Sequence, residues 1–131
     1  ALIRDADCIS LHAPATPETI GRMNAEVFAK MKPTSYLVNS ARGDLIDEAA
    51  LAAALVKGEI GGASIDVFLQ EPLPADSPLR NAPNLTMSPH AAWYSDVAVE
   101  SLPRLVADEV TRALNGTRAR CPIPGSFSAK I

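Results

Sequence analysis

Three residues, Arg42, Glu71 and His90, could run one reaction between them, and each stands just past the end of a short apolar run. Arg42 follows Tyr36-Leu37-Val38-Asn39-Ser40-Ala41, and Glu71 comes after Ala63-Ser64-Ile65-Asp66-Val67-Phe68. His90 comes after Asn84-Leu85-Thr86-Met87-Ser88-Pro89. Imidazole titrates nearest neutrality, and a planar guanidinium fork suits anions better than an ammonium group does. In an open α/β sheet, ligands bind in the crevice outside the carboxyl ends of the strands. A cation, a carboxylate and an imidazole at three strand ends therefore point to one shared site.

The elements that must position them alternate. Cys8 to His12 reads as a strand closed by Ala13-Pro14, and Thr16-Pro17-Glu18-Thr19 offers a cap with Pro at a first helical position. Asn24 caps a short helix through Met31 that ends before Pro33. Tyr36 to Asn39 is the next strand. Asp47 caps a helix from Glu48 to Lys57, with Leu51 and Leu55 on one face and Gly58 as its stop. Gly61-Gly62 gives a flexible entry to a strand over Ala63 to Phe68. The following loop carries Pro72, Pro74, Pro78 and Pro83, which argues against a helix there. Leu85 to Met87 is a fourth strand, and a long helix runs from Ser95 to Asn115, stopped by Gly116. Pro103 lies inside it and should kink or divide it. Strands alternating with helices predict a mainly parallel sheet of about four strands with flanking helices, an α/β fold.

Bulk properties exclude several classes. The chain has 131 residues, 47% hydrophobic and 21% charged, enough for one domain with a modest core. A formal charge of −3 argues against a nucleic-acid surface, which needs a basic face. No apolar stretch approaches the roughly 20 residues of a membrane span, and the first residues do not resemble a signal peptide. No initiator Met is present, which fits a processed or partial product. Cys8 and Cys121 have no metal-ligand spacing and no metal is expected; Cys8, in an apolar run, reads as a small core residue, in keeping with a reducing cytoplasm.

Four motifs then carry a resemblance. Leu11-His12-Ala13-Pro14, Val38-Asn39-Ser40-Ala41-Arg42-Gly43, Asp66-Val67-Phe68-Leu69-Gln70-Glu71-Pro72 and Ser88-Pro89-His90-Ala91-Ala92 resemble, in order and spacing, the D-isomer-specific 2-hydroxyacid dehydrogenases. The block His90-Ala91-Ala92-Trp93-Tyr94-Ser95 is similar to the C-terminal-binding-protein branch of that family. The resemblance implies that residues 1–116 are the second half of a Rossmann-like NAD-binding domain, including the helix that returns toward a substrate domain. Residues 117–131 would form an irregular tail. The phosphate-binding Gly-x-Gly-x-x-Gly turn would precede residue 1, since Gly58, Gly61 and Gly62 have the wrong spacing and lie between a helix and a strand.

The same resemblance assigns roles. His90 would be the general acid for the carbonyl oxygen of a 2-keto acid. Glu71 would orient its other ring nitrogen and favour its protonated form. Arg42 would bind the substrate carboxylate or carbonyl and stabilise the developing alkoxide. Ala13, Pro14, Ser40 and Ala41 would line NAD, with NADP left open, and Asp66 would meet the nicotinamide carboxamide. Trp93 would wall the pocket for the substrate tail, or equally pack at the start of a helix. Taken singly, each has a plainer reading: a histidine capping backbone, a solvated glutamate, an arginine in a turn. Asp66 could simply cap the loop through Glu71. His12 matches no catalytic role and reads as structural or near the cofactor.

These residues predict a cytoplasmic, NAD-dependent oxidoreductase acting on a small 2-hydroxy or 2-keto acid. The alternative is an NAD(H)-sensing, corepressor-like interaction protein. The isolated 131 residues are expected to be inactive, because without a glycine turn they cannot cradle a pyrophosphate on a helix N-terminus. The strand at Cys8 would then be an open edge, favouring a homodimer or self-association.

Overall fold

Four short runs of apolar and β-branched residues become β1 (Cys8–Leu11), β2 (Tyr36–Asn39), β3 (Gly62–Ile65) and β4 (Leu85–Met87). They form one sheet in the order β1-β2-β3-β4, with every pair parallel. The register aligns Leu11 with Asn39, Asn39 with Ile65, and Ile65 with Met87. All four strands therefore end in one row across the sheet. The loops that follow them, carrying His12, Arg42, Asp66, Glu71 and His90, leave from a common edge. This computed structural model describes residues 2–122.

The crossovers are short. Helix α1 (Leu2–Asp5) precedes β1; the mixed charge of that segment hid it from the sequence reading. Between β1 and β2 lies α2 (Ala25–Phe28), whose Asn24 cap accepts from the Val27 amide as expected. It is shorter than the expected run to Met31. Thr16 to Gly21 forms a hydrogen-bonded turn and not a helix. Gly21 adopts a left-handed φ of 64° and turns its amide away to the Asp44 carbonyl, which ends propagation. Between β2 and β3, α3 (Glu48–Lys57) has both expected ends: Asp47 accepts from the Ala50 amide, and Gly58 closes the helix at φ 68°.

The core gathers Phe28, Leu37, Leu51, Ile60 and Leu79, all fully buried, around the sheet and α3. Leu79 belongs to a single 3-10 turn over Pro78–Asn81, where a proline at the first position costs no hydrogen bond. Three expectations fail locally. Cys8 is exposed, because pleat alternation in β1 buries Ile9 and turns its neighbours outward. The Gly61-Gly62 pair marks close packing, not flexibility. A Cβ at Gly62 would stand 2.6 Å from the Tyr36 ring, and one at Gly61 would stand 3.0 Å from the Thr34 carbonyl. The strands at Cys8 and Ala63 also stop earlier than expected, at Leu11 and Ile65.

The chain divides into two compact units, one through Ala92 and one from Trp93 onward. The second holds α4 (Asp96–Leu114), capped by Ser95 at its start, with Gly116 at φ 65° just beyond its end. Pro103 leaves it undivided: one missing donor removes one bond of the ladder, and the turns on both sides continue. None of its residues is buried, and Val99, Leu102, Val106 and Val110 are exposed along it. Residues 117–122 have no helix or strand, and Arg120 ties them back to Asp108 and Glu109 of α4. The expected tail from residue 123 on lies outside the described residues.

Candidate active site

His90 and Glu71 meet. Glu71 Oε2 lies 2.8 Å from His90 Nδ1, and its Oε1 accepts from the Phe68 amide at 3.0 Å. The hydrogen bond from His90, then that from Phe68, holds the Glu71 carboxyl below its usual range. An ionised carboxylate can only accept, so Nδ1 is the ring nitrogen that carries the proton. Nε2 is left to give or take one. The pair is half open to water, with the His90 side chain 48% exposed. It lines a cleft of about 510 Å³ together with Phe68, Leu73, Arg80 and Met87.

Asp66 builds the platform under His90. It is buried, one residue past the end of β3, and gathers donors from the β4 loop. Its Oδ1 accepts from the Ser88 hydroxyl and the Ala91 amide, its Oδ2 from the Ala92 amide, and its carbonyl from the His90 amide. These bonds hold His90 at φ 54°, a left-handed conformation that a residue with a side chain seldom adopts. The loop that Asp66 organises is thus Ser88 to Ala92, and not the loop through Glu71 that its plainer reading assigned.

Burial alone would raise the Asp66 carboxyl, but the Ser88 hydroxyl, the Ala92 and Ala91 amides and the nearby His90 together lower it. A depressed folded value stabilises the protein above the ordinary carboxylate range and loses that contribution as pH falls through the folded value. Asp66→Asn is therefore expected to cost about 2 kcal/mol near neutrality. The cost should shrink as pH falls from about 4, where the unfolded carboxyl takes up its proton, toward the lower folded value. Urea unfolding at a series of pH values reads both parts; a cost that stays constant into acid would refute the assignment.

Arg42 stands apart from this pair. It is exposed, and its Nη1 donates to the Ala41 carbonyl at 2.6 Å. With His12, Ala13, Pro14 and Ala41 it lines a second cleft of about 320 Å³ beyond β1 and β2. No hydrogen bond or ion pair joins it to Glu71 or His90 among the described residues. Ser40 is exposed between Asn39 and Ala41. His12 shares a 2.8 Å hydrogen bond with Ser10 and lines the second cleft. Trp93 lies in the second unit, 53% exposed, edge-on to Tyr94 with ring centroids 5.4 Å apart.

Several positioning residues escaped the sequence reading. Asn39, fully buried at the end of β2, donates to the Arg42 carbonyl and accepts from the Ala41 amide, which sets the Arg42 loop. An asparagine closing an apolar strand was the available signal. Glu48 reaches from the start of α3 to accept from the Leu69 amide at 2.8 Å. Gly43 packs directly against the Phe68 carbonyl, so the Arg42 and Glu71 loops touch through backbone. The signal there was a glycine next to a candidate arginine. Ser88 stands in the His90 motif but had no role of its own there, and nothing in the sequence marked Arg80.

The chain is similar to known proteins in sequence and fold. A family model described as D-isomer specific 2-hydroxyacid dehydrogenase, NAD binding domain, matches residues 1–92. The chain is 44% identical over 126 residues to D-3-phosphoglycerate dehydrogenase of Synechocystis sp., covering 95% of this chain and 23% of that protein. D-lactate dehydrogenase with NAD+ from Lactobacillus jensenii superposes with a TM-score of 0.83 at 33% identity, over 92% of this chain and 40% of that one. For NADPH-dependent glyoxylate/hydroxypyruvate reductase from Sinorhizobium meliloti, in complex with NADP and malonate, the TM-score is 0.85 at 34% identity. That match covers 93% of this chain and 38% of the reductase. The chain thus spans between 23% and 40% of the length of these three.

Proposed function

The chain belongs to the D-isomer specific 2-hydroxyacid dehydrogenases, its parallel sheet being part of their Rossmann-like NAD-binding domain, and from that premise we propose that it serves a reductase of small 2-keto acids. The observation that carries this reading is the 2.8 Å contact between Glu71 and His90 Nδ1, which leaves Nε2 as the proton-exchanging atom. The chemistry that bound NADH would supply is a hydride for the carbonyl carbon. His90 Nε2 delivers the proton to the carbonyl oxygen, and the product is the 2-hydroxy acid; the reverse reaction returns that proton to the imidazole. Glu71 holds the ring in its tautomer. Arg42 receives the substrate carboxylate on its guanidinium fork and offsets charge on the oxygen.

The strand ends fit a dinucleotide. Ala13, Pro14 and Ala41 give the second cleft a wall of small residues, Ser40 stands exposed beside them, and a nucleotide packs closely only against such a wall. Among the described residues, Asp66 Oδ2 accepts a single hydrogen bond, so one acceptor position remains for the amine of a nicotinamide carboxamide. Trp93 is assigned to the wall around the substrate tail. NAD is the proposed cofactor, with NADP the alternative.

The test is kinetic. The full-length protein is expected to oxidise NADH in the presence of a panel of 2-keto acids, whereas the isolated 131 residues should show no turnover and weak NAD affinity. Stoichiometric NAD binding by the isolated chain would refute the second half of that statement. A cytoplasmic location is proposed from the reducing-compartment reading of the chain's cysteines. Self-association through the open edge of β1 or the exposed apolar residues of α4 is proposed as well, and light scattering on the same samples reads it.

One observation favours a second reading. Trp93 and Tyr94 form an exposed aromatic pair in the block that resembles the C-terminal-binding-protein branch. An NAD(H)-sensing, corepressor-like protein would show NADH-dependent assembly without turnover of any 2-keto acid.

A further inference from the structure

We propose that Arg80 is a specificity-determining residue of the His90 cleft, receiving the second anionic group of a 2-keto acid that carries one at its far end. The proposal rests on the dehydrogenase reading and names the substrate class for it. Among the described residues, Arg80 is the only Arg or Lys on the wall of the cleft that holds Glu71 and His90. Its guanidinium is fixed in direction: Nε donates to the Pro74 carbonyl at 2.7 Å and Nη2 to the Leu73 carbonyl at 2.5 Å. Those carbonyls belong to a loop stiffened by Pro72, Pro74 and Pro78.

Carbonyl acceptors orient a cation without neutralising it. No carboxylate pairs with Arg80 in the ion pairs among the described residues. Of the five N–H donors of a guanidinium, two are used by the loop and three remain. The rest of this wall is largely apolar, with Phe68, Leu73 and Met87, and its carboxylate, Glu71, accepts from His90 and the Phe68 amide, so little competes with a ligand for those donors. A pre-oriented, unneutralised fork in such a cleft suits a carboxylate, sulfonate or phosphate. A substrate with one charge, held through its 2-carboxylate by Arg42, leaves that fork unused.

The experiment compares shape-matched pairs in the full-length enzyme with NADH. Oxaloacetate is set against 4-methyl-2-oxopentanoate, and 2-oxoglutarate against 5-methyl-2-oxohexanoate; each partner replaces the distal carboxylate by an isopropyl group. The wild type is expected to favour at least one dianion by about 10- to 100-fold in kcat/KM, the range for one charge-assisted pair, expressed mainly in KM. Arg80→Gln should erase that preference and leave the monoanion rates unchanged, while Arg80→Lys should keep part of it. Calorimetric affinity for succinate, which does not react, should fall in parallel in Arg80→Gln.

Turnover without dianion preference overturns the assignment. So does a preference that survives Arg80→Gln, or an equal loss on both members of a pair, which would mark Arg80 as a loop clamp. Absence of turnover with every 2-keto acid overturns the dehydrogenase reading itself, and this assignment with it.

Discussion

Replacing His90 by Gln is expected to lower kcat/KM for 2-keto acid reduction by about 10²- to 10⁴-fold in the full-length enzyme, with NADH affinity unchanged. The size follows from what Gln cannot do: its amide fills similar space but neither gives nor takes a proton near neutrality. Glu71→Gln should cost about tenfold or more by another route. The Glu71 carboxylate accepts two hydrogen bonds, from His90 Nδ1 and from the Phe68 amide, one on each oxygen. A Gln side chain has a single acceptor oxygen and can satisfy only one of them. If its amide nitrogen faces the ring, the tautomer reverses and the proton moves to Nε2 for good.

The pH profile separates the two roles. The hydrogen bonds from His90 and Phe68 hold the Glu71 carboxyl below its usual value. A depressed carboxyl stays ionised below the ordinary glutamate range of about 4.3 and is lost only as pH falls through its folded value. Rate changes between about pH 5 and 9 therefore cannot arise from Glu71 itself. Steady-state rates across that window check this. An undiminished kcat/KM in His90→Gln would remove the proton-transfer role altogether.

Gly43→Ala is expected to be the most damaging small substitution, lowering stability by about 3 kcal/mol and removing activity with it. A Cβ at residue 43 would stand 2.1 Å from the Phe68 carbonyl carbon and 2.2 Å from its oxygen. Both partners are backbone, so no rotamer relieves the clash. One loop must move, either the one bearing Arg42 or the one bearing Glu71. Gly21→Ala is the control: Gly21 also lacks a side chain, at φ 64°, but nothing lies within 4 Å of its Cβ position. Its cost should be only the left-handed penalty of about 1 kcal/mol. Thermal unfolding of both variants against wild type decides the matter; equal shifts would show that contact with Phe68 carries no weight.

Asn39 and Gly43 show where local reading ends. The helix caps at Asn24, Asp47 and Gly58 were legible because a cap is a contract between residues three or four apart. The segment after Thr16 had comparable local signals and did not form a helix. Its end was settled by a bond from Gly21 to Asp44, which no window around Thr16 contains. Cys8 misled for a related reason: an apolar run does not say which of its alternate residues faces the core.

The sequence by itself determined the βα alternation, the parallel sheet and the placing of Arg42, Glu71 and His90 after strands, because periodicity, caps and turn residues act over a few positions. Only the tertiary structure decided the rest. Register put Leu11, Asn39, Ile65 and Met87 in one row, so the four loops share an edge. Packing then joined Glu71 to His90 across 19 residues, seated the His90 loop on Asp66, and put Arg80 on the same wall while Arg42 lines a second cleft. Those are contacts between residues distant in the chain, and their geometry exists only once the backbone between them has been fixed.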